Sequence, residues 1–521
     1  MLLSQPKVQS ILKLILSLVL VLTACELWAA PNILENNPDS ALTLTLAQFQ
    51  GRFITLDEAQ NLALKNATSL QEAAANLKAA KGMLRREKGT FDPELFAEAQ
   101  SSKADLPSGS PFAGALVLEN EELTGSVGLR IKLPIGTLLE ASLNTTKLET
   151  NSSFALLNPQ YSNYGKLEIT QPLLSGFGPS AYSGVSSARW SYEAARAGYQ
   201  DALLSLAALV EQTYWDLYAS ERDLAVQILI RDQASAFLRE TELRATAGQV
   251  GPNQVANAKV FLAEQEQAVL DREENLDRIS NLLATLLGQR PAGFLHYRPS
   301  IQPPSDVPAE NLDSLLERAF RNNRTLKVYE QYWAATKALA KGASWRALPK
   351  LDLFGSLGAN GLSGKDTLAG PFDGNANQAW SQVFQRDYPT WSVGLRLSFS
   401  IGFRPGLGEK ERLQGEADRS YQRYVAVKRA LDEQVRAAHQ ELLHAKKRLE
   451  VSKSGVEASV EQVRIGLLEY QVGRTTAFEL VRLGADFAAA QQRYSQSLVR
   501  AAKAAAELKR LTSENINNNQ S

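Results

Sequence analysis

From residue 203 onward, apolar side chains return at seven-residue spacing: Leu203, Val210, Leu217, Leu224 and Leu238, with Arg231 the exception. Such a period predicts a long helix that supercoils left-handedly with its neighbours. The helical pattern covers about 181–247, and a helix of that length at ~1.5 Å per residue spans ~100 Å. Residues 248–252 then reverse the chain, with Gly248 and Gly251 permitting unusual backbone angles and Pro252 opening the next helix. That helix stops at Gly288, a common C-terminal cap. The pattern returns later at Val435, Leu442, Leu449, Val456, Val463 and Tyr470. Small residues (Ala438, Ala445, Ser452, Ser459, Gly466) follow three positions after the first five, a seam that lets helices approach closely.

Elsewhere the period drops to two. Leu123, Val127, Leu129, Ile131 and Leu133 alternate with Thr124, Ser126, Gly128, Arg130 and Lys132, which predicts a strand with one apolar and one polar face. A turn at Pro134-Ile135-Gly136 leads into a further alternation at Leu139, Ala141 and Leu143, and Leu167, Ile169 and Gln171 follow. In the second half, strands are expected at Leu351 and Leu353, and over Trp391, Val393, Leu395, Leu397, Phe399 and Ile401. A Gly- and Asn-rich loop, about 358–389, is expected between them.

The chain repeats itself. Leu56-Asp57 matches Leu312-Asp313, and the same offset of 256 pairs Asn66 with Asn322 and Pro93 with Pro349. Gly248 matches Gly473 at an offset of 225, so the first half carries 31 extra residues, between Pro93 and Gly176. The expected plan is a signal peptide at 1–24, an N-terminal segment at 25–54, a first repeat at 55–289 and a linker at 290–308. A second repeat follows at 309–513, and then a disordered tail at 514–521. Each repeat reads as helix, two strands, long helix, turn and helix. Membrane strands are expected at about 94–175 and 350–402, and long helical hairpins at about 181–288 and 407–512. Two main strands per half make about four per chain, with Glu94 to Gln100 a further candidate in the first half; four are too few to close a barrel alone, since the smallest ordinary ones have ~8. Strands in a membrane therefore require an oligomer.

The start of the chain reads as an export signal: Lys7 and Lys13, then an apolar run from Leu14 to Leu22. It ends in Leu22-Thr23-Ala24-Cys25, which resembles a lipobox with Cys25 as the lipidated residue; cleavage near Ala30 is the other reading. Lys plus Arg and Asp plus Glu are both 56, which argues against nucleic acid as a whole-chain partner. The single cysteine excludes an intrachain disulfide, and three histidines make multi-histidine metal chemistry a poor fit. His439 and His444 stand five apart, which is not a ligand spacing on one helix face. No catalytic cluster emerges; no enzyme activity, cofactor or metal is expected.

Three motifs carry a family resemblance: Leu348-Pro349-Lys350-Leu351 where a helix meets a strand, residues 171–178 (Gln-Pro-Leu-Leu-Ser-Gly-Phe-Gly) where a strand meets a long helix, and residues 470–480 (Tyr-Gln-Val-Gly-Arg-Thr-Thr-Ala-Phe-Glu-Leu) at a hairpin tip. With their order and repetition, the chain resembles the TolC family of outer-membrane efflux and secretion channels. The resemblance implies a mainly α fold with a membrane β-barrel portion: a homotrimer with an α-helical barrel in the periplasm and a shared 12-stranded β-barrel in outer-membrane lipid. It implies a passive exit duct served by a periplasmic adaptor and an inner-membrane pump. Type I protein secretion with an ABC transporter is an alternative, and so, in a different class, is a non-channel periplasmic coiled-coil scaffold lipoprotein. Segments within about 290–308, with the chain ends, would form an equatorial belt. By the same resemblance Glu479 falls where an acid rings the closed periplasmic aperture. Arg482 replaces a second acid, and it stands at i, i+3 to pair with Glu479. The matching first-half positions are Gln254 and Asn257. Gly248, Gly251, Gly473 and Arg474 are turn and adaptor-contact candidates, and Arg244 with Arg474 a candidate gate lock.

Overall fold

The computed structural model describes residues 38–110, 112–291, 293, 296–366 and 370–513. The signal peptide, Cys25 and the tail at 514–521 lie outside them. In chain order the elements are α1 (Pro38–Ala47), β1 (Gly51–Ile54), α2 (Leu56–Asn66), α3 (Thr68–Lys88), β2 (Glu94–Pro107), β3 (Val117–Lys132), β4 (Leu138–Thr150), β5 (Leu157–Pro172), α4 (Pro179–Thr246), α5 (Pro252–Leu287) and β6 (His296–Pro299). Then come α6 (Leu312–Asn322), α7 (Arg324–Arg346), β7 (Lys350–Asp366), α8 (Ala376–Gln385), β8 (Tyr388–Ser398), α9 (Arg404–Gln471) and α10 (Ala477–Thr512). Helices α4 and α9 are both 68 residues long, and α5 and α10 both 36. Among the described residues no helix is long and apolar enough to cross a membrane.

Two helices expected to be continuous are each broken once. At Ala67 the backbone turns extended (ψ 125°) between α2 and α3. At Asn323 it does the same, and the Asn323 side chain accepts from the Leu326 N–H to start α7 afresh. Near these breaks the chain divides into two units: residues 1–68, 203–317 and 434–521 in the first, 69–202 and 318–433 in the second.

The first unit is built on the heptads. Val210, Leu217, Leu224, Val435 and Leu442 are buried, as the seven-residue spacing requires. Beside them β1 and β6 pair in parallel, and Arg298 of β6 lies inside. Its guanidinium donates to Glu221 Oε1 (3.0 Å) and to the carbonyls of Phe49 (2.7 Å) and Leu46 (2.8 Å), with the Phe53 ring against it. Tyr214, fully buried, donates to the Ile54 carbonyl and accepts from the Ser300 N–H. These contacts tie residues 46–54 and 298–300 to α4.

Asp223, one turn beyond Ser220 on α4, is also buried. Burial raises its carboxyl above the usual range, against the opposing hydrogen bonds of Gln492 and Gln496. A carboxyl whose pKa rises on folding costs stability once the pH passes the unfolded value. Asp223→Asn is therefore expected to raise the melting temperature at pH 7.5 and leave it unchanged at pH 3. Melts at both pH values check this.

The second unit holds one antiparallel sheet in the order β2-β3-β4-β5-β7-β8. It has six strands, four of them from the first half. The expectation of two strands per half holds for the second half, with β7 and β8, and is corrected for the first, which has four. The physical cause is the extra chain between Pro93 and Gly176: that stretch folds as four strands, β2 to β5, and their apolar alternation sets them all on the same face. The expected loop from 358 is corrected too. β7 continues through it to Asp366, because Gly358 and Gly361 leave room for Tyr164 and for α8, where a Cβ would meet atoms at 2.8 and 1.9 Å.

Register gives each sheet face a uniform chemistry. One row reads Leu95, Leu129, Ala141, Leu167, Leu357, Trp391, and the next Ala97, Val127, Leu143, Gly165, Ala359, Pro389. The opposite face carries Glu94, Arg130, Glu140, Glu168, Ser356 and Ser392 in one row. The apolar face ends abruptly. Within two rows past Asn163 and Gly361 it becomes charged, with Lys103 paired to Glu121 (3.0 Å) and Lys147 to Glu149 (2.5 Å). At this changeover α8 packs Ala379 and Val383 onto the sheet, while Phe384 faces outward.

Candidate functional site

The hairpin tips of the first unit are twin turns. Gly248 and Gly473 adopt left-handed backbone angles, φ 73° and 71°. In each turn the glycine N–H donates to the carbonyl three residues back (Ala245 and Tyr470, both 3.0 Å). The next N–H donates five residues back, to Arg244 and Glu469, both 2.8 Å. A Cβ on either glycine would meet open space, so the backbone angle alone calls for glycine. Gly251 is different: its φ of −85° is ordinary, and its place is the N-cap before Pro252. The expectation of an unusual angle there is corrected. Arg474 stands exposed beside Gly473.

Beyond the turn, Thr476 caps α10 by accepting from the Glu479 N–H (3.3 Å). Glu479 thus sits at the third helical position, where a carboxylate favours the N-terminal dipole. Its side chain accepts a hydrogen bond from Arg482. That bond and the carboxylate charge raise Arg482 above its ordinary range, with Asp486 adding to the effect. The tip therefore presents an ion pair, not a bare carboxylate.

A groove of about 660 Å³ brings Arg482 together with Gln254 and Asn257, and is also lined by Glu240, Arg244 and Asp486. Three of the four gate candidates share this groove, and Glu479 adjoins it through Arg482. Sequence reasoning missed the groove's central contact. Glu240 of α4 accepts from the Tyr470 hydroxyl of α9 (3.3 Å) and pairs with Arg244 (2.5 Å). One carboxylate thus ties the two hairpins at their ends. The available signal was Tyr470 itself, which closes an otherwise apolar heptad run with a hydroxyl. Arg244, a candidate lock, acts within its own helix through Glu240.

His439 Nε2 lies 3.0 Å from the Glu310 carbonyl, away from the groove residues in sequence and in contacts. Among the described residues no cluster of His, Cys, Asp and Glu has a metal-binding arrangement.

Comparison with known proteins places this geometry. The model of the outer membrane efflux protein family matches residues 59–289 and 315–514. No curated protein matches the sequence significantly. Among solved structures, the outer-membrane channel OprN is similar at 18% identity and TM-score 0.63, over 88% of this chain and 90% of its own. The Campylobacter jejuni CmeC outer membrane channel is similar at 14% identity and TM-score 0.60, over 88% of this chain and 85% of its own. The open state of the Neisseria gonorrhoeae MtrE outer membrane channel is similar at 16% identity and TM-score 0.59, over 88% of each chain.

Proposed function

Because this chain belongs to the outer membrane efflux protein family, we propose that three copies of it form a passive exit duct. The duct is closed at the hairpin tips, and is served by a periplasmic adaptor and an inner-membrane pump exporting small molecules. The sheet carries the reading. One face is apolar in consecutive rows across six strands, as hydrocarbon requires, and the other is polar, as a water-filled lumen requires. A scaffold without a pore has no use for such a sheet.

Gating belongs to the tips. The Tyr470–Glu240–Arg244 tie holds α9 against α4, and the Glu479–Arg482 pair sits at the start of α10. Copies of these charges around a threefold axis would set the ion preference of the aperture. Opening requires the tie to break, and an adaptor seated on the Gly248 and Gly473 turns is in position to drive that.

The test is single-channel conductance in a planar bilayer, with oligomer mass measured on the same sample. A trimer with small currents is expected. A monomer that never inserts would remove the duct. Glu479→Ala frees Arg482 and is expected to shift the ion preference toward anions and to raise conductance severalfold. Unchanged currents from an intact trimer would take Glu479 out of the gate.

A further inference from the structure

The six-stranded sheet leaves both its edges open, at β2 and β8. Both are long, 14 and 11 residues, and both are almost wholly exposed, with Leu95 at 76% and Trp391 at 75%. In lipid such edges leave unpaired N–H and C=O groups, each costly, so they must be covered. Six strands are also fewer than the ~8 of the smallest closed membrane barrel.

We propose that β8 of each copy pairs antiparallel with β2 of the next, so that three chains close one ring of eighteen strands. This rests on the trimeric duct proposed above, and departs from the ring of twelve that the family resemblance implies.

The chain contains its own template for the joint. Its first half meets its second at β5·β7, where Pro172 lies opposite Asp352 and Thr170 opposite Phe354. At the free edges the second half would meet the next copy's first half. β7 and β2 correspond, two residues out of step with the Pro93 and Pro349 match, through a shared device that the strand contacts fix: Phe354 lies under Arg396 and crowds Gly394, as Phe96 lies under Arg130 and crowds Gly128. β5 and β8 correspond through Gly176 and Gly402, both at positive φ where a strand leads to a long helix. Transferring the register puts Ser398 opposite Glu94, Arg396 opposite Phe96, Leu397 opposite Leu95 and Leu395 opposite Ala97.

Two independent features agree with this register. Arg396 falls opposite Phe96 and diagonally between Glu94 and Glu98 of the neighbour, an opposite-charge placement akin to that of Arg130, which stands directly across from Glu94 within the chain (3.7 Å). The geometry also closes. A row that leaves β2 at Leu95 crosses to Trp391 and would re-enter the next β2 at Ser101, six residues along. Over three chains the shear then equals the strand number. That condition gives a strand tilt of about 36° in eight-stranded barrels, within the roughly 35–45° of membrane barrels. An even strand number per chain also makes every joint antiparallel. Diameter grows about linearly with strand number, so the ring is about 1.5 times as wide as one of twelve, in the range where porins hold an open aqueous channel.

Disulfide trapping tests it. Ala97→Cys with Leu395→Cys, and separately Leu95→Cys with Leu397→Cys, are oxidised in outer-membrane fractions and run without reductant. Linked trimer at least tenfold above single-cysteine controls is expected for one or both pairs. The rival closure uses only β4, β5, β7 and β8, with β2–β3 outside the ring. It predicts linkage of Ala141→Cys to Leu395→Cys instead, and that result overturns the eighteen-stranded ring while leaving the duct standing. A trimer by mass in which no pair links overturns it as well. A monomer by mass overturns the duct itself.

Discussion

Arg298→Ala is expected to lower stability by about 3–5 kcal/mol, the usual cost of removing one member of a buried ion pair. Arg298 and Glu221 have only 8% and 9% of their side-chain surface exposed. Losing the guanidinium leaves the Glu221 carboxylate in an apolar setting, and strips the Leu46 and Phe49 carbonyls of their donor. Burial already pushes the Glu221 carboxyl above its usual range, with Arg298 pulling it back. Without Arg298 only the weaker pull of Arg222 remains, so the defect should deepen as the pH rises from 4 to 8. Glu221→Gln keeps an oxygen acceptor and is expected to cost less. Thermal melts of both variants across that range measure the difference, and hydrogen exchange over residues 42–54 should show where the structure loosens first.

Gly361→Val is expected to detach α8. A Cβ at this position would stand 1.9 Å from the Ala379 carbonyl oxygen, a backbone atom that cannot step aside. The helix would have to lift, breaking the bonds from Ser363 Oγ to the Asn375 carbonyl (2.7 Å) and from the Leu362 N–H to Gln382 (2.8 Å). Overpacking commonly costs about 1–3 kcal/mol, and the two lost hydrogen bonds add to it here. The strand pairing of β5 and β7 should survive. Hydrogen exchange is the measurement: residues 376–385 lose protection, while residues 350–358 keep theirs.

Much of the fold is legible before any coordinates, and the omissions have physical causes. The heptads of α4 and α9 are visible because a buried seam repeats its demand every two turns. The twin glycines at 248 and 473 are visible because a left-handed turn selects glycine. The strand count fails for a different reason. The alternation at Leu139, Ala141 and Leu143 is plain, but matching the halves to each other forces two strands on a segment that contains four. In β7 the glycines look like loop and are clearances for Tyr164 and α8, which only the neighbours explain. Arg298 and Glu221 lie 77 residues apart, and no periodicity announces a pair of that kind. At the tip, Gln254, Asn257 and Arg482 are reachable by comparing the halves, whereas Glu240 acts across helices and leaves no trace in spacing.

In the proposed duct, the abrupt end of the apolar face would also determine what the cell shows to its surroundings. The family is one of the outer membrane, and the strands run on past the last apolar rows: β3 extends six residues beyond Leu123, to Val117. In the proposed duct, at ~3.4 Å per residue and a tilt near 40°, that would lift its tip about 15 Å clear of the hydrocarbon. The projecting stretch carries Lys103, Glu119, Glu121, Lys147 and Glu149, charges of both signs already partnered to one another. With Asp105 and Glu122 beside them, acids outnumber bases in this stretch, so the collar would turn a net negative charge toward the anionic sugars and phosphates crowding the cell surface. It would also be the part of this chain that an antibody or a phage approaching from outside meets first, and a basic recognition surface would be favoured there.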